Sequence, residues 1–199
     1  MFRSSYRISR AKVKSGLSEL IFDLLENIPT LTKKYLFKPK FTPTPEQAFM
    51  KLKHYCGYQE RCHSEVKEKA YKLGLRKALV EQLISQLIEE DYLNEERYAK
   101  LFVGGYFRQK KWGINKIVYA LRQKKLSEYT IKKGLKEIDR DEYEKTATKL
   151  IKAKWILLKH EQYINRETKA MSYMMQKGYE PALIQEIIKN LRTESVKNK

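Results

Sequence analysis

Three stretches of this chain carry one pattern of apolar residues, and that repeat limits the possible folds more than any other feature. The segments are VKEKAYKLGLRKALVEQLISQL from Val66, IVYALRQKKLSEYTIKKGLKEI from Ile117 and AMSYMMQKGYEPALIQEIIKNL from Ala170. They align with offsets of 51 and 53 residues. Val66, Ile117 and Ala170 fall together, as do Ala70, Leu121 and Met174, then Leu75, Leu126 and Tyr179 just past a turn. The second half aligns Val80 with Ile131 and Ile184, Ile84 with Leu135 and Ile188, and Leu87 with Ile138 and Leu191. Apolar positions recur while charges vary, as expected of a shared helix-turn-helix core with different surfaces. One such unit buries little core by itself, so neighbouring units are expected to pack together.

From residue 44 onward nearly everything reads as helix. Thr44 suits an N-cap, Pro45 the first helical position, and Gln47 completes a capping box. Helical periodicity covers about 46–55, 64–73, 77–90, 95–109, 115–124, 128–138, 141–159, 166–176 and 181–193. Asn94 is a further cap, with Leu93 and Tyr98 spaced as a hydrophobic staple, and Pro181 stands at a first helical position. Strand alternation is absent, and five Pro and eight Gly are too few for a loop-rich all-β chain. Each repeated hairpin is preceded by one more helix. The expected fold is all-α, with tandem three-helix, helix-turn-helix-like modules at 44–93, 94–140 and 141–199.

Residues 1–43 differ. They hold nine basic and three acidic residues, a surplus of six, which leaves twelve of the net +18 for the modules. This basic N-terminal arm carries Leu17, Leu20, Ile21, Leu24, Leu25 and Ile28 on one helical face, which Pro29 ends. The helix is expected to dock on the main body. An extended, Pro-rich linker then runs from Phe37 to Pro45. The first eighteen residues lack the apolar core of a secretory signal. Their Ser- and Arg-rich composition also fits a transit peptide, but a flexible basic arm is the simpler reading. Two cysteines in 199 residues fit a reducing compartment. No apolar run approaches the ~20 residues that span a bilayer. The expected location is the cytoplasm and the expected state a monomer.

A charge of +18 favours an acidic partner, either nucleic acid or an acidic protein surface. The charge is uneven. From Arg97 to Ser127 there are 31 residues without an acid. They contain Arg97, Lys100, Arg108, Lys110, Lys111, Lys116, Arg122, Lys124 and Lys125, while acids crowd both flanks. Nine such charges repel one another unless a partner neutralises them, so these residues are the candidate partner- and DNA-binding set. Trp112 joins them as a stacking surface. Tyr98, Phe102 and Tyr106, spaced by four, read as core.

Gly104 and Gly105 fall inside a helix, where each costs about 1 kcal/mol against Ala. They suggest a close backbone approach, a helix break or a partner surface. They lack the spacing of a phosphate-binding loop, and no cofactor is expected. His54, Cys56, Cys62 and His63 do not match zinc-ligand spacing, so Cys56 is placed in the core and the others beside a turn, with Gly57 as a C-cap. No nucleophile–base arrangement is visible, and the chain is not expected to be an enzyme.

The ordered set of motifs resembles the RecX regulatory proteins. It runs from SEVKEKAYKLGL at 64–75, through the junction Tyr92-Leu93-Asn94-Glu95-Glu96-Arg97-Tyr98-Ala99, to Gly113, Ile117, Leu121 and Lys124 of WGINKIVYALRQKKL, then Gln176-Lys177-Gly178-Tyr179. Lys125 stands where the family prefers Gly, and Asn94 or Glu95 replaces the usual Asp. The resemblance covers about residues 44–192 and leaves the arm aside. It implies an elongated, curved array of three-helix modules that binds the RecA recombinase filament on single-stranded DNA. It further implies damping of RecA's ATPase, strand exchange and SOS induction by contact alone, with some direct DNA contact allowed. Charge alone supports a different reading, a stand-alone DNA-binding regulator.

Overall fold

The computed structural model describes residues 42–197. The arm helix, the transit-peptide reading and most of the Pro-rich linker lie outside the described residues. Nine helices are found among the described residues: α1 Pro45–Tyr58, α2 His63–Lys72, α3 Lys77–Glu89, α4 Glu95–Lys110, α5 Ile114–Gln123, α6 Glu128–Leu135, α7 Arg140–Leu157, α8 Tyr163–Lys177 and α9 Pro181–Lys197. The all-α expectation holds.

The starts follow the capping chemistry. The Thr44 hydroxyl accepts from the Gln47 amide, and the Gln47 side chain accepts from the Thr44 amide. Asn94 Oδ1 accepts from both Glu96 and Arg97 amides, and Ser127 and Asp139 cap α6 and α7 in the same manner. Each satisfies a backbone donor that an α-helix leaves unpaired at its first turn. Gly57 does not end α1. The helix runs through it to Tyr58, with Gln59 as the extended C-cap.

The repeat is visible in backbone geometry. After α2, α5 and α8 the chain turns through a left-handed residue at Gly74, Lys125 and Gly178, with φ of 85°, 64° and 92°. These three positions are equivalent in the repeat. Their amides donate to Tyr71, Arg122 and Met175 carbonyls at 2.9 Å each. The next amides, of Leu75, Leu126 and Tyr179, donate back to Ala70, Leu121 and Met174 at 3.3, 3.3 and 3.1 Å. Each turn thereby closes the C-terminal end of its helix. Gly adopts a left-handed backbone freely, whereas the Lys125 side chain costs roughly 1–2 kcal/mol there.

The aligned apolar residues form the interior. All are buried except Leu135 and Ile138, which pack at the edge. Two clusters result. One joins α1, α2 and α3 around Leu52, Val66, Val80 and Leu87. The other runs continuously from α4 to α9 around Phe107, Ile117, Leu121, Ile151, Met174 and Ile184. Leu93 belongs to the first cluster and Tyr98 to the second, so the expected staple is split between them. Cys56 and Cys62 are both buried and free. Cys62 is the N-cap residue of α2 and lies in the second cluster, bridging the two.

The two glycines of α4 do not break it. The close approach expected of them occurs on α6 instead. A Cβ on Gly134 would stand 2.9 Å from Ala99 Cβ and 3.1 Å from the Ala99 carbonyl carbon, so α6 lies directly against α4.

Candidate nucleic-acid interface

The basic stretch of α4 and α5 is acid-free in sequence but not in space. Arg97 reaches back to Glu60 and to Asp91 Oδ2 at 2.9 Å. Arg108 lies 3.5 Å from Glu137, Arg122 forms a fork with both carboxylate oxygens of Glu128 at 2.7 and 3.1 Å, and Lys124 bonds Glu65. Hydrogen bonds to these carboxylates raise the pKa of Arg97, Arg122 and Lys124. The expectation of nine uncompensated charges is therefore corrected. Acids outside the stretch, between 6 and 59 positions away in sequence, fold back onto four of the nine, because packing of helices within and between the units makes distant residues neighbours. Partly exposed ion pairs of this kind stabilise by ~0–1 kcal/mol each, so they consume charge more than they hold the fold.

What remains is sorted by position. Lys100 and Lys125 stand exposed. Lys110, Lys111 and Lys116 gather where the end of α4 and the start of α5 meet the end of α8. That seam is built from backbone. The Gly113 amide donates to the Lys177 carbonyl at 2.8 Å, and the Asn115 amide to the Gly178 carbonyl at 3.0 Å. A Cβ on Gly113 would lie 2.3 Å from the Gly178 carbonyl carbon and oxygen, and one on Gly178 would lie 2.3 Å from Lys116 Cβ. The two glycines let the chains touch.

Side chains close around the same seam. Lys116 Nζ donates to the Gln176 carbonyl at 3.1 Å, Lys177 Nζ to the Lys110 carbonyl at 3.4 Å, and Tyr179 Oη to the Lys111 carbonyl at 3.4 Å. Behind them the Ile114 amide donates to Tyr143 Oη, which donates to Glu180 at 2.6 Å. Burial first, and then the Glu180 bond, push the Tyr143 phenol well above its usual range, so it stays protonated and the chain of bonds stays intact. Among the described residues, no carboxylate forms an ion pair with Lys110, Lys111, Lys116 or Lys177. Lys116 and Lys177 set their ammonium groups on one backbone junction to which Lys110 and Lys111 contribute carbonyls, so the junction gathers four basic residues that suit phosphate as point charges.

Trp112 is placed here, though not as an open stacking face. Its ring packs on Tyr106 with centroids 4.4 Å apart, and Lys116 Nζ sits 4.7 Å from its centroid. Tyr106 in turn stacks on Phe102 at 4.2 Å, and Phe102 meets Tyr98 at 5.8 Å. The three aromatics spaced by four form one pile along α4. Its Tyr98 end is buried, while Phe102 and Tyr106 are half-buried.

Lys177 was missing from the sequence-derived set. The signal was present, since Lys177 occupies the turn position equivalent to Lys124, but an acid-free window ending at Ser127 could not reach it. The junction between the first two units joins the equivalent elements, with its hydrogen bond shifted by one residue. Ser64 is equivalent to Asn115, and its hydroxyl donates to the Lys124 carbonyl at 2.8 Å. There, however, Glu65 pairs with Lys124. Among the described residues, no group of three or more His, Cys, Asp or Glu side chains is arranged to hold a metal ion. No helix among them is long and apolar enough to cross a membrane.

Comparison with known proteins agrees with this architecture. A family model described as "RecX, second three-helix domain" matches residues 94–135. The Regulatory protein RecX of Bacillus cytotoxicus is 26% identical over 149 residues, which is 75% of this chain and 55% of that protein. The Regulatory protein RecX of Clostridium perfringens strain 13 is 29% identical over 133 residues, covering 66% and 62%. This chain thus spans little more than half the length of these curated relatives. The crystal structure of RecX from Lactobacillus salivarius superposes with a TM-score of 0.69 at 21% identity, over 75% of this chain and 97% of that one. A second crystal structure, titled regulatory protein RecX, gives 0.67 at 21%, over 73% and 71%. The resemblance read from the sequence motifs is borne out in sequence and in fold.

Proposed function

We propose, for a chain of this RecX type, that it binds the RecA recombinase filament on single-stranded DNA and damps its ATPase, strand exchange and SOS induction. The observation that carries this reading is the family match over 94–135, since it falls on the unit holding most of the seam. The relatives are named regulatory proteins. In this reading the three-helix modules 44–93, 94–140 and 141–199 are the working units, and the protein acts as a cytoplasmic monomer. Lys110, Lys111, Lys116 and Lys177 contact the phosphates of DNA held in the filament. Arg97, Arg108, Arg122 and Lys124 hold the modules' own carboxylates and contribute less.

Sedimentation of filaments tests it. RecA assembled on single-stranded DNA should carry the chain into the pellet in a saturable amount. A chain that stays in the supernatant at stoichiometric RecA contradicts the reading. The seam's surplus charge also favours a second reading, a stand-alone DNA-binding regulator. That reading requires a preferred duplex site, and a footprint with no preference removes it.

A further inference from the structure

The two junctions between modules are built from different chemistry. Between the second and third modules the interior is continuous. Phe107 meets Tyr143 with ring centroids 5.9 Å apart, Tyr143 stacks on Tyr179 at 5.0 Å, and the Gly113 and Asn115 amides bond backbone to backbone. Between the first and second modules, no backbone amide donates to a backbone carbonyl across the junction among the described residues. Cys62 is the one residue that the first module places in the second core. The bonds across this junction use side chains. Arg97 holds Glu60, Lys124 holds Glu65, His63 Nδ1 lies 3.3 Å from Glu95, and Ser64 Oγ donates to the Lys124 carbonyl at 2.8 Å.

The pairing there is incomplete. Glu60 and Glu65 each engage their cation through Oε1, while Oε2 is buried without a partner. Arg61 Nε is buried without an acceptor. Among the described residues these three are the buried side-chain polar atoms left unpaired, and all fall within 60–65. A buried polar atom without a partner has lost its hydration for nothing, so parting these surfaces returns water to it. Parting the other junction would expose a ring stack and break backbone bonds instead. The connector also bends sharply. Asp91 has a left-handed backbone with φ of 55°. Arg97 donates to the Asp91 carbonyl at 2.8 Å and to its carboxylate at 2.9 Å while reaching Glu60. One side chain thus ties both the connector and the first module to α4.

We infer that the junction between the first two modules is an ionic hinge. Arg97 and Lys124 latch it on Glu60 and Glu65, and it opens locally while the second and third modules stay one body. Partly exposed ion pairs weaken with ionic strength, so salt opens the hinge. Opening bares Cys62, which is fully buried in the latched state. Cys56 lies in the first module's own core and is bared only when that module unfolds. The inference goes beyond the RecA reading, and its test contains neither RecA nor DNA.

The test is alkylation of the native full chain by uncharged N-ethylmaleimide, with each cysteine followed by peptide mass. Cys62 should react at least about tenfold faster than Cys56. Raising sodium chloride from about 50 to about 500 mM should speed Cys62 about threefold or more. Cys56 should not speed up, because the same screening relieves the self-repulsion of a chain carrying +18. Arg97→Gln should speed Cys62 at low salt by a similar factor, and Glu65→Gln provides a second variant on the other side of the latch. Arg140→Gln, which removes a pair within α7, should change neither thiol. Spin labels separate hinge motion from fraying of α2, in a chain carrying Cys56→Ala and Cys62→Ala. The distance distribution between Tyr71→Cys and Tyr129→Cys, both exposed positions, should broaden with salt. That between Tyr129→Cys and Met175→Cys should not. The proposal is overturned if both cysteines react at one rate at every salt, or if Cys62 ignores salt and both latch variants. It is equally overturned if the first spin-label pair stays as narrow at high salt as at low, or if both pairs broaden together.

Discussion

The amide of Gly113 donates to the carbonyl of Lys177 across 2.8 Å, joining the start of α5 to the end of α8 through backbone alone. Nothing larger than hydrogen fits at Gly113, because a Cβ would stand 2.3 Å from the Gly178 carbonyl. The obstacle is backbone, which cannot swing away as a flexible side chain can. Gly113→Ala should therefore destabilise the fold by about 1–3 kcal/mol, the usual cost of overpacking. Urea unfolding measures it directly. A change under about 0.5 kcal/mol would show that the seam is loose.

The left-handed turn at Lys125 leads to the opposite expectation. Gly74 and Gly178 fill the equivalent positions at φ of 85° and 92°, whereas Lys125 holds φ of 64° with a side chain. Lys125→Gly relieves the steric cost but loosens the unfolded chain, for a net gain of about 0.5–1 kcal/mol. Thermal melts of the variant should rise by a few degrees. A fall would mean that the lysine side chain makes a contact worth more than the strain.

Much of this architecture was legible in the sequence, and the reason is local. The caps at Thr44 and Asn94, Pro181 at the first position of α9, and the turn at Gly178 involve residues a few positions apart. The apolar repeat states which faces must meet. The interface was less legible, because charge pairing is not local. Arg97 finds Glu60 and Lys124 finds Glu65, across 37 and 59 positions, so an acid-free window in sequence overstated the surplus charge. Lys177 joins Lys110 from 67 positions away. Gly57 misled because Gly favours a C-cap without requiring one. Helix α8 begins at Tyr163, three residues before its expected start, where Trp155 packs edge-on against Tyr163 at 5.9 Å.

Burial lifts the Cys56 thiol from 9.0 to about 11. A group whose folded pKa is raised contributes stability that is complete below its unfolded pKa. That contribution is lost as pH rises through the window from 9.0 to about 11, because the unfolded chain gives up the proton first. The parent should lose stability across this window relative to Cys56→Ala, in matched urea titrations. Around pH 8 the native thiol should react with an aromatic disulfide reagent far more slowly than the denatured thiol. Equal rates would place Cys56 at the surface.

The seam's charges should act through salt. Each phosphate contact on a single strand contributes a slope of about −0.7 to the logarithm of affinity against the logarithm of salt. Replacing Lys110, Lys111, Lys116 and Lys177 with Gln should flatten that slope by roughly 2–3 for a thymidine oligonucleotide. Replacing Arg122 with Gln should leave it nearly unchanged, since Glu128 already occupies that guanidinium. An unaltered slope in the fourfold variant would place the DNA on another surface.

RecA's DNA-dependent ATPase, titrated with this chain on single-stranded DNA, tests the central claim most directly. The rate should fall saturably as the chain approaches filament stoichiometry, and the fourfold seam variant should require a higher concentration for the same effect. A rate that stays constant at saturating, stoichiometric chain would contradict it.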